Sequence, residues 1–259
     1  VDSDAEGRMR PAALQAALDA GAAAPSIVCL QAGEVHTGAF DPFAELVPIA
    51  KAHGAWVHID GAFGLWAGAS PSLARLVRGS GEADSWTTDA HKTLNVPYDC
   101  GMAIVRNPAD AIAAFRTGGD YLVFSSFDSW DVGPELSRRA RGVPAWAALR
   151  SLGRNGVASL VERLCTNAQR LEQGLADIPG VTIVNDVVYT QVMFRLEDDD
   201  ATRALGDAIL RDGTAALTGA VWRGHAALRC SMSSWVTGDD DIDRTVGAIA
   251  RLVEAARAA

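Results

Sequence analysis

The chain has 259 residues, of which 49% are hydrophobic and 21% are charged, the balance of a globular protein with a substantial core. Its 23 basic and 32 acidic residues give a net charge of -9, which argues against a nucleic-acid partner because phosphate binding needs a basic surface. No uncharged run approaches the roughly 18 residues of a membrane span, so we expect no membrane partner either.

Short apolar runs alternate with turn and helix signals over the first 110 or so residues, a pattern typical of βαβ units. An amphipathic helix at 11–20 has no obvious partner. A second helix is predicted from Asp41-Pro42, with Asp41 as its cap, and a third from Asn107-Pro108. The predicted strands are residues 26–32, 55–60, 85–88 and 100–105. This order predicts an α/β fold with a parallel or mixed sheet covered by helices.

Residues 116–135 interrupt this pattern with a long segment rich in Gly, Ser and Asp, and a loop of that length is usually functional. Helical periodicity returns near Val143 and over 156–176. Short strands and two helices then predict a small α+β domain: strands at 181–184, 190–196, 220–223 and 226–233, and helices at 201–212 and 240–258. We therefore divide the chain into residues 1–153, part of a large domain, and residues 154–259, the small carboxyl-terminal domain.

The four cysteines lie far apart, and their spacing matches no metal-binding or disulfide motif. We expect reduced core thiols, a cytoplasmic location and no metal site. The cysteines are Cys29, Cys100, Cys165 and Cys230.

Lysine is rare in this chain, since Lys51 and Lys92 are its two lysines and its other basic residues are arginine. Lys51 lies at a predicted helix end, typical of a solvated surface residue. Lys92 follows a predicted strand in a polar turn, where a desolvated amine can form a Schiff base. Asp60 ends another strand 32 residues earlier. Its carboxylate either caps the next turn or meets a ring nitrogen, and in the second case the two residues form the pair that pyridoxal phosphate needs.

The motif HIDGAFG at 58–64, followed by ADSWTTDAHKTLNVPYDCG at 83–101, resembles the fold-type I pyridoxal-phosphate enzymes. Within them it is similar to the group II amino-acid decarboxylases. The resemblance extends from about Asp4 to the end and is most specific around Lys92. It implies a transferase-like α/β fold with a partial large domain. The family's full chain begins with a long region that has no counterpart here, so we expect the carboxyl-terminal part of a longer protein.

The resemblance also implies how pyridoxal 5'-phosphate is bound. Lys92 would join the cofactor covalently, Asp60 would pair with the pyridinium nitrogen, and Ala62 would pack on one face of the ring. Ser85 and His91 would contact the phosphate or its neighbourhood.

Three further positions follow the family pattern less closely. Many members place a threonine near the cofactor's phenolic oxygen; an ungapped count puts Val35 there, and Thr37 is the nearest substitute. Where the family often has asparagine three residues before the lysine, this chain has Asp89.

Two residues outside these motifs complete the expected site. Tyr121, in the long polar loop, is either the family's tyrosine that returns a proton to the substrate carbon or an aromatic anchor for the loop. Arg229, in LRCSMSS, is either the arginine that binds a substrate carboxylate or one of many surface arginines.

The implied function is decarboxylation of an L-amino acid to the amine and carbon dioxide, performed by a homodimer with its active sites at the subunit interface. Two alternatives stay open at this point. One is a different fold-type I reaction, that of a transaminase, an aldehyde synthase or a carbon–sulfur lyase. The other is a truncated chain without catalytic activity. The sequence leaves the identity of the amino acid open.

Overall fold

The structure, a computed structural model, describes residues 1–21, 25–116 and 128–258. Within these residues the helices are α1 (Pro11–Ala20), α2 (Phe43–Ala52), α3 (Pro108–Phe115), α4 (Gly142–Ala176), α5 (Asp199–Asp212) and α6 (Asp239–Ala258). The strands are β1 (Ile27–Gln31), β2 (Trp56–Asp60), β3 (Ser85–Asp89), β4 (Gly101–Val105), β5 (Thr182–Ile183), β6 (Gln191–Arg195), β7 (Thr218–Trp222) and β8 (His225–Ser231). Short 3₁₀ turns occupy Gly64–Ala69, Ala74–Val77, Ser80–Glu82 and Ser129–Val132.

The first sheet has the order β1-β2-β3-β4, with β1, β2 and β3 parallel and β4 antiparallel to β3. Gln31 pairs with Asp60, and Asp60 pairs with Thr87, so the three parallel strands end at one edge. The predicted α/β fold with a mixed, mostly parallel sheet is confirmed.

One face of β1 and β2 packs on α2. Leu30 and Ile59 are fully buried there with Leu46 of α2, because alternate strand residues point to the same face. On β1 the alternate residues Ile27 and Cys29 point the other way and are exposed.

The expectation of four core thiols is therefore wrong for Cys29, which is exposed on β1. The other three cysteines are buried, and all four are free. Burial raises the pKa of Cys165 and of Cys230 to about 12, so both stay protonated thiols at neutral pH.

The helix at 11–20 has a partner that the sequence did not reveal. Leu14 and Leu18 are buried in the same core as Leu46 and Val47 of α2, so α1 packs against α2. An apolar stripe shows that a helix has a buried side without showing which element covers it.

Asp41 does not cap α2 as predicted. The helix begins at Phe43, and the Asp41 carboxylate instead accepts hydrogen bonds from the backbone N–H groups of Met9 (2.7 Å) and Gln31 (2.8 Å). Burial raises the pKa of this carboxyl group, against the lowering effect of those two bonds. Asp41 thus joins the start of the chain to β1.

The second sheet is antiparallel, in the order β5-β6-β8-β7, and its core contains residues of α4, α5 and α6. Helix α4 serves both sheets: Val161 and Cys165 lie in the core of the first, and Leu171 and Leu175 in the core of the second. The two helices predicted here form one run, interrupted at Gly153 by a non-helical backbone with φ 62°.

The predicted boundary between residues 153 and 154 falls at this interruption and stays a prediction. None of the helices in the described ranges combines the length and apolar character needed to span a membrane. In the same ranges, no cluster of three or more His, Cys, Asp and Glu side chains is placed to hold a metal ion.

We predict that the contact between α1 and α2 weakens as pH rises. His53 Nδ1 faces the Ile49 carbonyl and Nε2 faces Asp19, each at 2.9 Å, so a ring protonated on both nitrogens donates to both acceptors. These bonds, the one to Ile49 foremost, raise the pKa of His53 above its ordinary 6.5. The stabilisation is complete below about pH 6.5 and is lost as pH rises through the raised pKa.

Thermal unfolding of the parent and of a His53→Gln variant between pH 5.5 and 8.5 measures this effect. The prediction concerns the direction in which the stability difference changes with pH. The parent should lose stability relative to His53→Gln over that range. His225→Gln, at an exposed histidine, serves as the control and should follow the parent. Parallel curves for the parent and His53→Gln would contradict the prediction.

Candidate active site

Three loops leave the first sheet at the edge where β1, β2 and β3 end. They pack closely because two glycines leave room for their neighbours. A Cβ atom on Gly33, whose φ is +92°, would lie 2.8 Å from Cζ of Phe63, and one on Gly64 would overlap the Ala32 carbonyl. The glycines of QAGEVH and HIDGAFG thus allow the loops after β1 and β2 to touch.

A cavity of about 200 Å³ lies between these loops and the second sheet. Both sheets contribute side chains to its wall, and the lining residues include Val35, Phe63, Lys92, Thr93, Gln191 and Arg229. The cavity therefore joins the turn after β3 to strand β8.

Lys92 lies in the turn after β3, and its Nζ is 2.9 Å from Oδ2 of Asp89. Lys51, at the end of α2, instead forms an ion pair with Asp84. The other carboxylate oxygen of Asp84 accepts the Val57 N–H at 2.7 Å. Of the two lysines, Lys92 is the one that lines the cavity, as the sequence predicted for a reactive amine.

Asp60 is the last residue of β2, the strand next to β3. Its Oδ1 accepts the N–H of Ala62 at 3.0 Å, which is the turn-capping role, and among the described residues Oδ2 has no partner. Asp60 can therefore cap the turn through Oδ1 and still offer Oδ2 to a ring nitrogen. Ala62 is half-buried in the same turn, and its carbonyl accepts the Asp89 N–H at 2.9 Å.

His91 is fixed by its neighbours. Its Nδ1 accepts the backbone N–H of Cys100 at 3.0 Å, so a neutral ring carries its proton on Nε2, which lies 3.7 Å from Oδ2 of Asp89. The ring also packs on Tyr98, with centroids 4.1 Å apart. His91 thus presents a donor on the side of the Lys92 turn.

Ser85 does not join this site. It is the first residue of β3, about 13 Å from the strand's other end at a rise of about 3.3 Å per residue. Its hydroxyl lies 2.9 Å from Trp56 Nε1 and 2.8 Å from His58 Nδ1. The position seven residues before the lysine thus lies at the opposite end of β3 from Lys92, and the predicted phosphate contact stays a prediction.

Thr37 is also outside the cavity, since it is fully buried. Its hydroxyl donates to the Glu6 carbonyl at 2.7 Å and accepts the Ala39 N–H at 3.2 Å. These bonds fix the loop after β1, and the predicted cofactor contact of Thr37 stays a prediction. Val35, which holds the family threonine's place by ungapped count, does line the cavity.

Arg229, on β8, lines the same cavity as Lys92. Its Nη1 donates to the Val35 carbonyl at 2.6 Å, while its buried Nε has no partner among the described residues. A buried donor without an acceptor is costly, so this guanidinium suits a site that receives an anionic group. The structure thus supports a binding position for Arg229 rather than a surface one, and its role stays a prediction.

Tyr121 lies outside the described residues. The segment that contains it is flanked by Arg116 and Asp131, which form a bidentate ion pair with two N–O distances of 2.9 Å. Arg116 lowers the pKa of the Asp131 carboxyl group.

Sequence reasoning missed Asn95 and Tyr189. The Asn95 side chain bonds both the Lys92 turn and the segment after β8. Tyr189, buried between the sheets, donates its hydroxyl to the Phe63 carbonyl at 3.2 Å. An asparagine in a tight turn was the available signal for the first, whereas nothing local distinguishes Tyr189.

Lys92 in the turn after a parallel strand, with Asp60 at the end of the neighbouring strand, is the arrangement expected of fold-type I pyridoxal-phosphate proteins. The model of the "Pyridoxal-dependent decarboxylase conserved domain" matches residues 1–197. The chain belongs to the pyridoxal-dependent decarboxylase family, which confirms the family predicted from the motifs around Asp60 and Lys92.

Curated relatives agree with this assignment. Phenylacetaldehyde synthase of Arabidopsis thaliana is 27% identical over 93% of this chain and 53% of its own length. L-tyrosine/L-DOPA decarboxylase 2 of Lophophora williamsii is 31% identical over 79% of this chain and 41% of its own length. The chain thus spans about half the length of the curated relatives it matches.

Solved structures share the fold. Oryza sativa TDC, crystallised with PLP and tryptamine, superposes with a TM-score of 0.91 at 23% identity, covering 97% of this chain and 56% of that one. Rhodiola rosea 4-hydroxyphenylacetaldehyde synthase superposes with a TM-score of 0.86 at 26% identity, covering 96% of this chain and 54% of that one.

The residues present fit pyridoxal phosphate, the cofactor of the family. Two observations support the fit: an amine lines the cavity, and the buried Nε of Arg229 lacks an acceptor. Asp60 is exposed at the end of the neighbouring strand, and neither it nor Ala62 or His91 lines this cavity. The cofactor would be held by Lys92 and Asp60, with Ala62 and His91 beside it.

We predict that Asp89→Asn speeds capture of pyridoxal phosphate by Lys92. The ion pair between Asp89 and Lys92 must open before the amine can react with an aldehyde. A partly exposed ion pair of this kind is worth up to about 1 kcal/mol, so we expect capture about twofold to fivefold faster in the whole protein.

Stopped-flow absorbance of the lysine-bound cofactor measures the rate. The control is Asp84→Asn, which removes the partner of the other lysine and should leave capture unchanged. A slower rate in Asp89→Asn would show that Asp89 helps to bind the cofactor instead.

Proposed function

We propose that the whole protein decarboxylates an L-amino acid to the corresponding amine and carbon dioxide with pyridoxal phosphate. The observation that carries this proposal is the shared cavity: Lys92 and Arg229 both line it, and Asp60 ends the strand next to the one that leads to Lys92. Family membership supports the same reaction. A chain without catalytic activity would have no need of this arrangement.

When bound, pyridoxal phosphate supplies the electron sink for the electrons left behind as carbon dioxide departs. Lys92 would hold the cofactor through Nζ and exchange it for the substrate's amino group. Asp60 would keep a proton on the ring nitrogen through Oδ2, since its Oδ1 stays bonded to Ala62. A carboxylate at this point favours the protonated ring, which is the better electron sink.

Arg229 would orient the substrate by holding an anionic group in the cavity that Lys92 lines. Its Nη1 is fixed by the Val35 carbonyl, which leaves the other nitrogens of the planar group for recognition. Orientation matters because the substrate's pose would decide which bond of its α carbon breaks. Tyr121 would return the proton to the substrate's α carbon.

The substrate class is an L-amino acid. The matched relatives include enzymes named for tyrosine and L-DOPA, for aromatic L-amino acids and for acidic amino acids. These names support an amino acid as substrate without selecting one side chain.

An aldehyde synthase is the second candidate, because two relatives carry that name. The tyrosine at position 121 favours the decarboxylase, since a phenol that protonates the carbon promptly leads to the amine. We do not favour the transaminase and carbon–sulfur lyase alternatives, since the matching family model is that of a decarboxylase domain and the curated relatives named above are decarboxylases and an aldehyde synthase.

The reaction is tested by measuring carbon dioxide, amine and aldehyde from the whole protein with a panel of aromatic and acidic L-amino acids. We expect equal yields of amine and carbon dioxide from at least one of them. Lys92→Ala should abolish turnover and borohydride labelling, while Lys51→Ala should retain both. Tyr121→Phe should suppress amine formation and leave cofactor binding intact.

Labelling at Lys51 would overturn the assignment of the reactive lysine. Aldehyde as the main product would favour the second candidate. If no amino acid yields carbon dioxide, the decarboxylase proposal falls.

We also propose that the whole protein is a homodimer. Val143, Trp146, Leu149 and Leu152 follow one another at three-residue spacing along the first part of α4, and all four are exposed. An exposed apolar stripe on a helix supports an interface, and a second copy is the partner that the family resemblance implies.

Sedimentation of the whole protein at micromolar concentration should give the dimer mass, and Trp146→Glu should shift it toward the monomer. Leu210→Glu, at an exposed leucine of α5, is the matched control and should remain dimeric. A fully active monomeric parent would contradict the proposal.

We further propose a cytoplasmic location, which the free cysteines support.

A further inference from the structure

Asn95 adopts a backbone conformation that side chains seldom take. It lies three residues after Lys92, with a φ of 52° in the left-handed region. Asparagine tolerates this region better than most residues, so a turn alone would explain the residue type. Glycine would form the same turn equally well, and the turn therefore does not explain what the side chain does.

The side chain of Asn95 uses both ends of its amide group. Nδ2 lies 2.9 Å from the Lys92 carbonyl, 3.1 Å from the Thr93 carbonyl and 2.7 Å from the Ser233 carbonyl. Oδ1 accepts the backbone N–H of Trp235 at 3.1 Å. One amide therefore spans two segments that are about 140 residues apart in the chain.

Both of these segments contribute to the wall of the cavity. Lys92 and Thr93 belong to the turn after β3, whereas Ser233 continues from β8, the strand that carries Arg229. A shift of either segment would change the separation of Nζ and the guanidinium group. The bonds of Asn95 join the main chain of the lysine itself to that of the other segment.

A second junction lies on the far side of the same turn. The Phe63 carbonyl accepts hydrogen bonds from the Thr93 hydroxyl and from the Tyr189 hydroxyl, each at 3.2 Å. Burial raises the pKa of Tyr189 well above its ordinary value, so the phenol remains a donor. This junction fixes the side chain of Thr93, whereas the carbonyls of Lys92 and Thr93 accept hydrogen bonds from Asn95.

We propose that Asn95 is a positioning residue: it holds the turn of Lys92 in register with the strand of Arg229, so that the amine and the guanidinium face one cavity. The consequence for catalysis rests on the proposed function. The link between the two segments rests on the geometry alone and can be tested separately.

Two substitutions separate the link from the turn. Asn95→Gly keeps the left-handed backbone and removes all of the side chain's bonds. Asn95→Asp keeps the size and the acceptor for Trp235 but places a carboxylate against three carbonyl oxygens. The control is Asn167→Asp, the same change at a buried amide that donates to the Thr237 carbonyl at 2.9 Å and does not contact the Lys92 turn.

The first measurement is hydrogen exchange by mass spectrometry on the whole protein, in peptides covering 90–97 and 232–236. We expect exchange to rise in both peptides together in Asn95→Gly and Asn95→Asp. In Asn167→Asp the peptide 90–97 should exchange as in the parent. Unchanged exchange at 232–236 in both Asn95 variants would overturn the proposal, even if stability had fallen.

The second measurement is the rate at which Lys92 captures pyridoxal phosphate, followed by visible absorbance and confirmed by borohydride labelling. We expect capture to slow about tenfold in Asn95→Asp and by less in Asn95→Gly, because small misplacements of a reacting group have large rate effects. Parent-like capture in both variants, with parent-like rates in the control, would refute positioning. A parent that captures no cofactor would refute the proposed function, and the exchange measurement would still decide the link.

Discussion

The hydrogen-bond ladder between β2 and β3 is parallel, with His58 opposite Ser85 and Asp60 opposite Thr87. Parallel pairing requires both strands to end at the same edge, so the loops that follow them meet there. Asp60 closes one of these strands, and Lys92 lies in the turn after the other. An antiparallel arrangement of the same two segments would place the carboxylate and the amine at opposite edges. The candidate site therefore depends on strand direction before it depends on any side-chain contact.

The second sheet completes what the first sheet begins. Helix α4 contributes to both cores, so the two sheets are held together by continuous apolar packing. On that base, a few hydrogen bonds between the sheets define the cavity wall. Tyr189 reaches the Phe63 carbonyl, Arg229 reaches the Val35 carbonyl, and Asn95 joins Ser233 to the Lys92 turn. Apolar packing is non-directional, so these hydrogen bonds are what fix the position of one sheet's loops relative to the other sheet.

Position in the fold separates Lys92 and Arg229, which line the cavity, from Thr37 and Ser85, which do not. Thr37 and Ser85 were proposed from their distance in sequence to a motif, and each hydroxyl is already bonded elsewhere in the structure. Ser85 stands at the far end of its strand, so counting seven residues back from the lysine leads away from the site. Lys92 and Arg229 line the cavity because the turn and the strand that carry them face each other. Distance along the chain does not report distance across a sheet.

The sequence by itself determined the strands, the helices and the family. Alternating and continuous apolar runs set the positions of β1 to β4, since the hydrophobic effect acts on patterns that a single sequence displays. The motifs around Asp60 and Lys92 predicted the cofactor, because close packing and a reactive amine restrict the residue types at these positions. Only the tertiary structure decided the partners: α1 with α2, Asp41 with Met9 and Gln31, and Asn95 with the segment after β8. A polar group or an apolar face in the sequence shows which kind of partner it needs, and only the fold selects the residue that provides it.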